Sequence, residues 1–468
     1  MKKSSALLLA AAFLVTAVAL FYAWTNWSGA RELRNALAQL EKKKESIHIE
    51  DFVPPPVPDD QNVAAAPIFR ELFVSEKDSR LGKLIQPWKG TSSPVAGEKR
   101  LLQIAKQIDP AFSGDEASAA RVVLDSLSPS DLVLAELSEA VRRPQVSWPL
   151  EYSKGFEMTL PHIGPMIKAS KMLQARALAE LAAGAPQKAF EDANTLLAMA
   201  EVSASPHLLI SELVRISILS MALEVLDDGL CRGAWSDSNL AGFSKSLAQK
   251  NLIVQMADAL RWERAGAQQM DWSDLKMLAI LRTGEKATWT EHITGIGRRI
   301  RPAGWVNRAR ALHLLLMQRM IEAFGDGSRV SPAEIRSIES PCKNVSLWGR
   351  LTTPIAYIML PAIDGAAQNV ALTQTLLEST RTACAVERYR LANNHLPPNL
   401  NDLVPVFLAG LPKDPITGAP LFYKPSPEGS FVIYGTGWNQ TDDGGAVNSP
   451  QIDRPQKQAD WGVSVSKR

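Results

Sequence analysis

Cysteine is scarce. Cys231, Cys342 and Cys384 are the only three in 468 residues, far apart and without a CxxC pair. Such a set excludes a disulfide scaffold and offers no zinc-ligand spacing. The thiols read as buried apolar residues, with one bridge and one thiol left over as the alternative. Histidine is nearly as sparse: the six are His48, His162, His207, His292, His313 and His395. No two are four residues apart and there is no HExxH, which removes the common zinc-hydrolase pattern. No GxSxG elbow is present, and Gly295-Ile296-Gly297 lacks the lysine of a phosphate loop. Net charge is missing as well. The balance of 51 basic and 49 acidic residues leaves +2, so no global field points to nucleic acid. The carboxylate pairs Asp59-Asp60 and Asp227-Asp228 fall beside a proline strut and at a helix end, where charged groups are ordinarily solvated. The expectation is a chain that is not an enzyme.

One long apolar run is present, and no second run of its length follows. After Met1-Lys2-Lys3, residues Ala6 to Trp24 read ALLLAAAFLVTAVALFYAW, nineteen residues without a charge. As a helix this run spans roughly 28 Å, the hydrocarbon thickness of a bilayer. Trp24 and Trp27 fall where an interfacial aromatic belt belongs. Two readings stand: a retained signal anchor, or a signal peptide with Ser28-Gly29-Ala30 as a small-x-small exit. Either one exports the remainder. The expected location is the inner membrane, single-pass, with the bulk of the chain on the periplasmic or extracytoplasmic side and the bilayer engaged through Ala6 to Trp24.

Beyond the membrane segment the pattern is mainly helical. Arg31 to Glu45 reads as a short helix, and the four prolines between Pro54 and Pro58 form an extended strut. From about Lys99 to Leu281 apolar residues recur at helical spacing. Ser128-Pro129-Ser130-Asp131 carries capping residues, and Arg142 to Phe156 reads as a packed irregular loop. Ile163 to Ala183, stopped by Gly184, and a second helix opened by Pro186 form a hairpin; small Ala189 and Ala193 would let the helices approach. The GAPQKAFEDANTLLAMAE stretch resembles the second helix of a tetratricopeptide-type unit, without the sustained period of an array. Leu208 to Leu230 is strongly apolar, with Glu212 and Arg215 read as a solvated edge or an intrahelical pair. Five arginines between Arg298 and Arg310 read as a solvated face, partners of internal carboxylates, or a phosphate or lipid-headgroup site. Ala366 to Ala392 is one long helix with two apolar stripes. Val370, Leu377, Cys384 and Leu391 make the first; Leu372, Leu376, Ala383 and Val386 make the second. Such a helix is buried between two bodies. Near the C-terminus the period shortens, and Leu421 to Tyr423 with Phe431 to Tyr434 form a hairpin.

The block from Tyr389 to Gly445 carries an ordered set of residues: Glu387 just before it, then Tyr389, Pro397, Leu403, Leu411-Pro412-Lys413-Asp414-Pro415, Gly418, Tyr423, Tyr434, Gly437 and Asp442 to Gly445. This order resembles the globular domain of the major pseudopilin of type II secretion systems, over roughly residues 366 to 465. The whole layout is similar to a family of long, uncharacterised bacterial envelope proteins, on Pro54 to Asn62, Arg143 to Leu150 and Pro302 to Trp305. True pseudopilins place their hydrophobic segment directly on the long helix; here it lies far upstream. The resemblance therefore carries the fold of the domain and not assembly into a filament. It also implies a calcium loop, with Asn439, Asp442, Asp443 and Asp460 as structural oxygen ligands.

The expected organisation is a signal anchor or signal peptide (1–30), a juxtamembrane helix and proline-rich strut (31–98), an α-helical domain (99–363) and a pseudopilin-like α+β domain (364–468). The expected function is that of an envelope scaffold or protein-interaction module with an unidentified envelope protein as partner. An accessory of a type II-like secretion system and an envelope hydrolase are the alternatives.

Overall fold

The computed structural model describes residues 2–84, 86–87, 98–270, 272, 301–343, 361–447 and 460–466. Gly295 to Gly297, His292, Arg298, Arg299 and the end of the helical stretch near Leu281 lie outside the described residues.

The chain is mainly helical, with an apolar helix at its N-terminus and a small sheet near its C-terminus. Helix α1 runs unbroken from Lys2 to Lys42. The separate helix expected from Arg31 is thus the end of the same helix that begins at Lys2. No glycine-proline break separates the two parts, and Gly29 sits in mid-helix. One stretch of α1 is long and apolar enough to cross a membrane, and none of it is buried in the protein.

Helix α2 (Pro67–Val74) follows the proline strut, then α3 (Glu98–Ile108), α4 (Glu116–Leu127) and α5 (Asp131–Ala140). Ser130 makes no side-chain cap. Residues Ser128–Ser130 instead form a 3-10 turn that carries α4 into α5. Asp115 caps α4 by accepting from Ser118 N–H. The hairpin is α6 (Ile163–Ala182) and α7 (Pro186–Ser203). It turns at Gly184, whose φ of +74° is the left-handed conformation that suits glycine. Ala189 and Ala193 are fully buried. Arg176 of α6 forks onto Asp192 of α7 (2.8 and 2.7 Å) and reaches Asp131 of α5 (2.7 Å), tying three helices at one point.

Helices α8 (Leu209–Arg232), α9 (Asp237–Ala248) and α10 (Leu252–Gln268) complete the middle of the molecule, and α11 (Ala303–Ala323) and α12 (Pro332–Lys343) follow. Glu212 and Arg215 are not a solvated edge. Both are buried, with side chains at most 1% exposed, because α8 is apolar all round and is covered by α6, α7, α10 and the last long helix.

That last helix, α13 (Pro361–Asn393), lies against α8, α9 and α10 on one side and against strands β2 and β3 on the other. The two-sided pattern is realised. Val370, Leu377 and Cys384 are buried with the second stripe, whereas Leu391, in the last turn, is exposed. The sheet is antiparallel in the order β1 (Phe422–Pro425), β2 (Phe431–Gly435), β3 (Trp461–Val465). One apolar core runs from α2 through the helical layers to the sheet without a break.

Candidate functional site: the membrane seam and the C-terminal loop

Helix α11 lies along the second half of α1, and the two run in the same direction. Asn26 accepts a hydrogen bond from Gly304 N–H (2.8 Å), and Arg308 reaches Glu32 (2.8 Å) and Ser28 (3.3 Å). Ala36 and Leu40 pack with Ala311 and Leu314, and Lys43 pairs with Glu322. The crossing is close at the membrane end. A Cβ on Gly304 would run into the backbone of Thr25 and Asn26, and one on Gly29 into the Gly304 carbonyl. Glycine is required there because the two backbones touch. Asn26 also caps α11 from outside: Pro302 offers no side chain for the purpose, and the amide of α1 satisfies one of the orphan donors.

Just beyond α1 the chain is locked a second time. Arg264 of α10, fully buried, donates to Glu45 (2.7 Å), to the Ser46 carbonyl (2.9 Å) and to Gln318. Burial works against ionisation of Glu45, but Arg264 and Arg261 outweigh it and hold the carboxyl below its ordinary range. The N-terminal helix and the turn after it are therefore built into the body from Thr25 to Ser46.

The segments around Asn62, Arg143 and Pro302 are structural joints. Asn62 accepts from Ser147 N–H (2.9 Å) and donates to the Ser147 carbonyl (3.1 Å); Arg143 donates to the carbonyls of Asp59 and Asn62 (both 2.9 Å). The end of the proline strut and the loop before Trp148 are thereby stapled together. Pro302 to Trp305 opens α11 at the seam. Of the arginine cluster, Arg308 has an internal carboxylate partner, as one of its readings had it.

In the C-terminal module Asp414 is buried. It accepts from Ile416 N–H (2.8 Å), the Thr417 hydroxyl (2.9 Å), Thr436 N–H (3.0 Å) and the Thr436 hydroxyl (2.8 Å). The Leu411 to Pro415 segment is fastened to β2 in this way. Tyr423 donates its hydroxyl to the Pro397 carbonyl (3.1 Å).

The four residues of the expected calcium loop are linked through the loop's hydrogen bonds without converging on a common point. Asn439 donates to Asp443 (2.9 Å). Buried Asp460 accepts from the N–H groups of Asp443 (3.1 Å) and Gly445 (2.7 Å). Asp442 accepts from the Tyr434 hydroxyl (3.1 Å) and Gly444 N–H (2.9 Å), and Lys424 donates to the Gly444 carbonyl (2.8 Å). Donors thus already engage the oxygens a cation would use. Among the described residues no three His, Cys, Asp or Glu side chains converge on one point.

The shifted acids and histidines sit in the core or at helix ends. His162 stacks on Trp148 (4.3 Å between rings), and burial pushes its pKa down to about 3. His313 lies edge-on to Trp272, and burial, aided by Arg264, pushes it down to about 4. Burial raises Glu263 to about 7, although its carboxylate accepts from Leu209 N–H at the start of α8. His48 and His395 are exposed. Cys384 is a buried thiol in mid-helix, its pKa driven up by burial, and Cys231, also outside any disulfide, reaches the Ser464 carbonyl (3.9 Å). A cleft of about 300 Å³ between α11 and α12 is lined by Arg319, Glu322, Glu334, Ser337 and Ile338; Glu322 is already paired with Lys43.

Sequence reasoning missed the seam. Its signal was the spacing of Thr25 and Gly29 on one helical face, but the matching glycine lies 275 residues further on, and only the fold brings Gly304 to it. No known protein family, curated protein or solved structure matches this chain.

Proposed function

We propose that the chain is a non-enzymatic, membrane-anchored envelope scaffold. It crosses the inner membrane once through Ala6 to Trp24 and carries its bulk on the extracytoplasmic side. The observation that carries this reading is the continuity of α1: exposed and apolar in its first half, welded to α11 and α10 in its second. A signal peptide is built to leave the mature protein. Cleavage after Ala30 would remove Thr25, Asn26 and Gly29 and with them the packing and the cap at the start of α11. Retention of the helix is the reading that keeps these groups satisfied. The scaffold role, with an envelope protein as partner, fits a body whose shifted titratable groups serve helix ends and core contacts rather than a shared cleft.

The test uses the full chain in cells. The expected outcome is a protein of unprocessed mass that stays with the membrane through alkaline extraction. Its body is digested by added protease once the outer envelope is opened. Recovery in the soluble cytosol, or a mature chain starting after Ala30, overturns the anchor. Turnover of an envelope polymer by the purified protein overturns the non-enzymatic role.

We also propose that the loop holding Asn439, Asp442, Asp443 and Asp460 takes calcium as a structural ion, tying the loop to β3. The supporting observation is that Asn439 donates to Asp443 and that Asp460 accepts from the N–H of Asp443, which links three of the four residues across the loop. Asp442 and Asp443 are exposed, and an ion would replace the donors that now engage them. Millimolar calcium, at about 100 times a submillimolar Kd, is expected to stabilise the protein by roughly 2.7 kcal/mol, and Asp443→Asn to abolish that gain. A melting temperature that ignores calcium ends the proposal.

A further inference from the structure

The seam fixes which side chains surround the membrane helix as it leaves the bilayer, and among the charged ones arginine predominates. Residues 22–34 and 301–310 together hold five arginines (Arg31, Arg34, Arg301, Arg308, Arg310) and one acid, Glu32. That acid is already taken by Arg308. Arg31 and Arg34 are exposed, and the Arg31 guanidinium lies 5.5 Å from the ring of Trp27. Trp24 and Trp27 are themselves 59% and 57% exposed on the same stretch of α1. The apolar surface thus ends in a tryptophan belt, and the belt is followed at once by the exposed arginines Arg31 and Arg34.

Heights along α1 can be assigned from the helical rise. Arg31 lies about 10 Å beyond Trp24 and Arg34 about 15 Å beyond it. The headgroup layer is roughly 5 to 7 Å thick on each side of the hydrocarbon, and the screening length in physiological salt is about 8 Å. Both arginines therefore feel the lipid charge. Arg301 comes three residues before Gly304, which is hydrogen-bonded at the level of Asn26. Because α11 runs parallel to α1, its start faces the membrane, and Arg301 belongs to the headgroup layer itself.

We propose that this face is a seat for anionic lipid headgroups, so that the body rests on the bilayer at a fixed height instead of swinging on its anchor. The inference rests on the anchor reading and adds the lipid class and the contacting residues. Charge complementarity selects the occupant. An excess of arginine next to an exposed tryptophan belt suits a phosphate-bearing surface that is continuous with the hydrocarbon holding residues 6–24. Each arginine within reach of such a surface favours it roughly fivefold.

The experiment places the full-length protein in vesicles and compares spin-labelled phosphatidylglycerol with spin-labelled phosphatidylcholine in the shell of lipid around it. The expected result is a preference of about threefold to tenfold for phosphatidylglycerol at low salt. It should collapse toward unity at 1 M salt, where the screening length falls to about 3 Å. The double variant R31Q/R34Q, both positions exposed, is expected to lose most of the preference while its melting temperature stays unchanged. Equal association of the two lipids at low salt, or a preference that survives both high salt and the double variant, overturns the seat. Absence of restricted lipid of either kind is a different failure, since it overturns the anchor.

Discussion

Gly304→Leu is expected to separate α11 from α1 and to cost the protein about 3 kcal/mol or more of stability. Overpacking a filled interior commonly costs 1 to 3 kcal/mol when side chains can give way. At Gly304 the opposing atoms are the Thr25 carbonyl and the Asn26 nitrogen, which belong to a helix backbone and cannot rotate aside. Relief requires the two helices to move apart, and that movement breaks the Asn26 cap and strains the Arg308 pairs further along. The measurements are a thermal melt and hydrogen exchange across residues 25–42, where protection should fall by more than an order of magnitude. Gly365→Ala is the control. Gly365 also lies in a helix, yet a Cβ there meets nothing within 4 Å, so the change is expected to be neutral or to add about 0.5 to 1 kcal/mol. If the two glycines respond alike, the seam is not the tight joint described.

The contrast between these glycines shows what a sequence discloses and what it withholds. Local signals were legible: Gly184 and Pro186 mark the α6–α7 turn, the double stripe on α13 marks a helix covered on both sides, and the change of period marks the β1–β2 hairpin. Each rests on neighbours within one turn of helix or one strand. Strand β3 was not legible, because Trp461–Val465 has a short alternating pattern and acquires its place only by pairing with β2. The seam was illegible for the same reason on a larger scale. Gly29 reads equally well as part of a cleavage site or a packing surface until Gly304 is placed beside it. Charge was the hardest to read. Arg215 and Glu212, three apart on a helix, have the spacing of an exposed ion pair, and nothing local tells that the helix around them is covered. In the C-terminal loop the residue set was legible while its chemistry was not, since spacing does not tell that the loop's own N–H groups engage Asp442 and Asp460 or that Lys424 fastens the Gly444 carbonyl.

Arg215 carries the other large effect. Its guanidinium is fully buried between the two oxygens of Glu201 (both 3.0 Å) and Glu212 (3.5 Å); Lys250 also reaches Glu201 (2.5 Å), and His207 reaches Glu212 (3.0 Å). Burial opposes ionisation of Glu201, but Arg215 and Lys250 win and hold its carboxyl below the usual range. Replacing Arg215 with methionine fills much of the volume and removes the charge. Glu212, with a side chain only 1% exposed, is left to His207 alone. Breaking a buried pair from one side typically costs 3 to 5 kcal/mol, because the remaining ion is stranded without its solvent. The loss should depend on pH with a definite sign. Glu212 raises the pKa of His207 through their hydrogen bond, despite the opposing effect of burial. A raised folded-state pKa stabilises below the unfolded value of about 6.5 and ceases to do so as pH climbs through the folded one. Protonated His207 therefore compensates Glu212 at low pH and ceases to as pH climbs through its raised folded-state value. The deficit of Arg215→Met, read from denaturant unfolding, is expected to be larger at alkaline than at mildly acidic pH. His207→Gln in the same background should flatten most of that dependence. A deficit that grows on acidification would mean that Glu212 is not the group left without a partner, and the buried network would have to be redrawn.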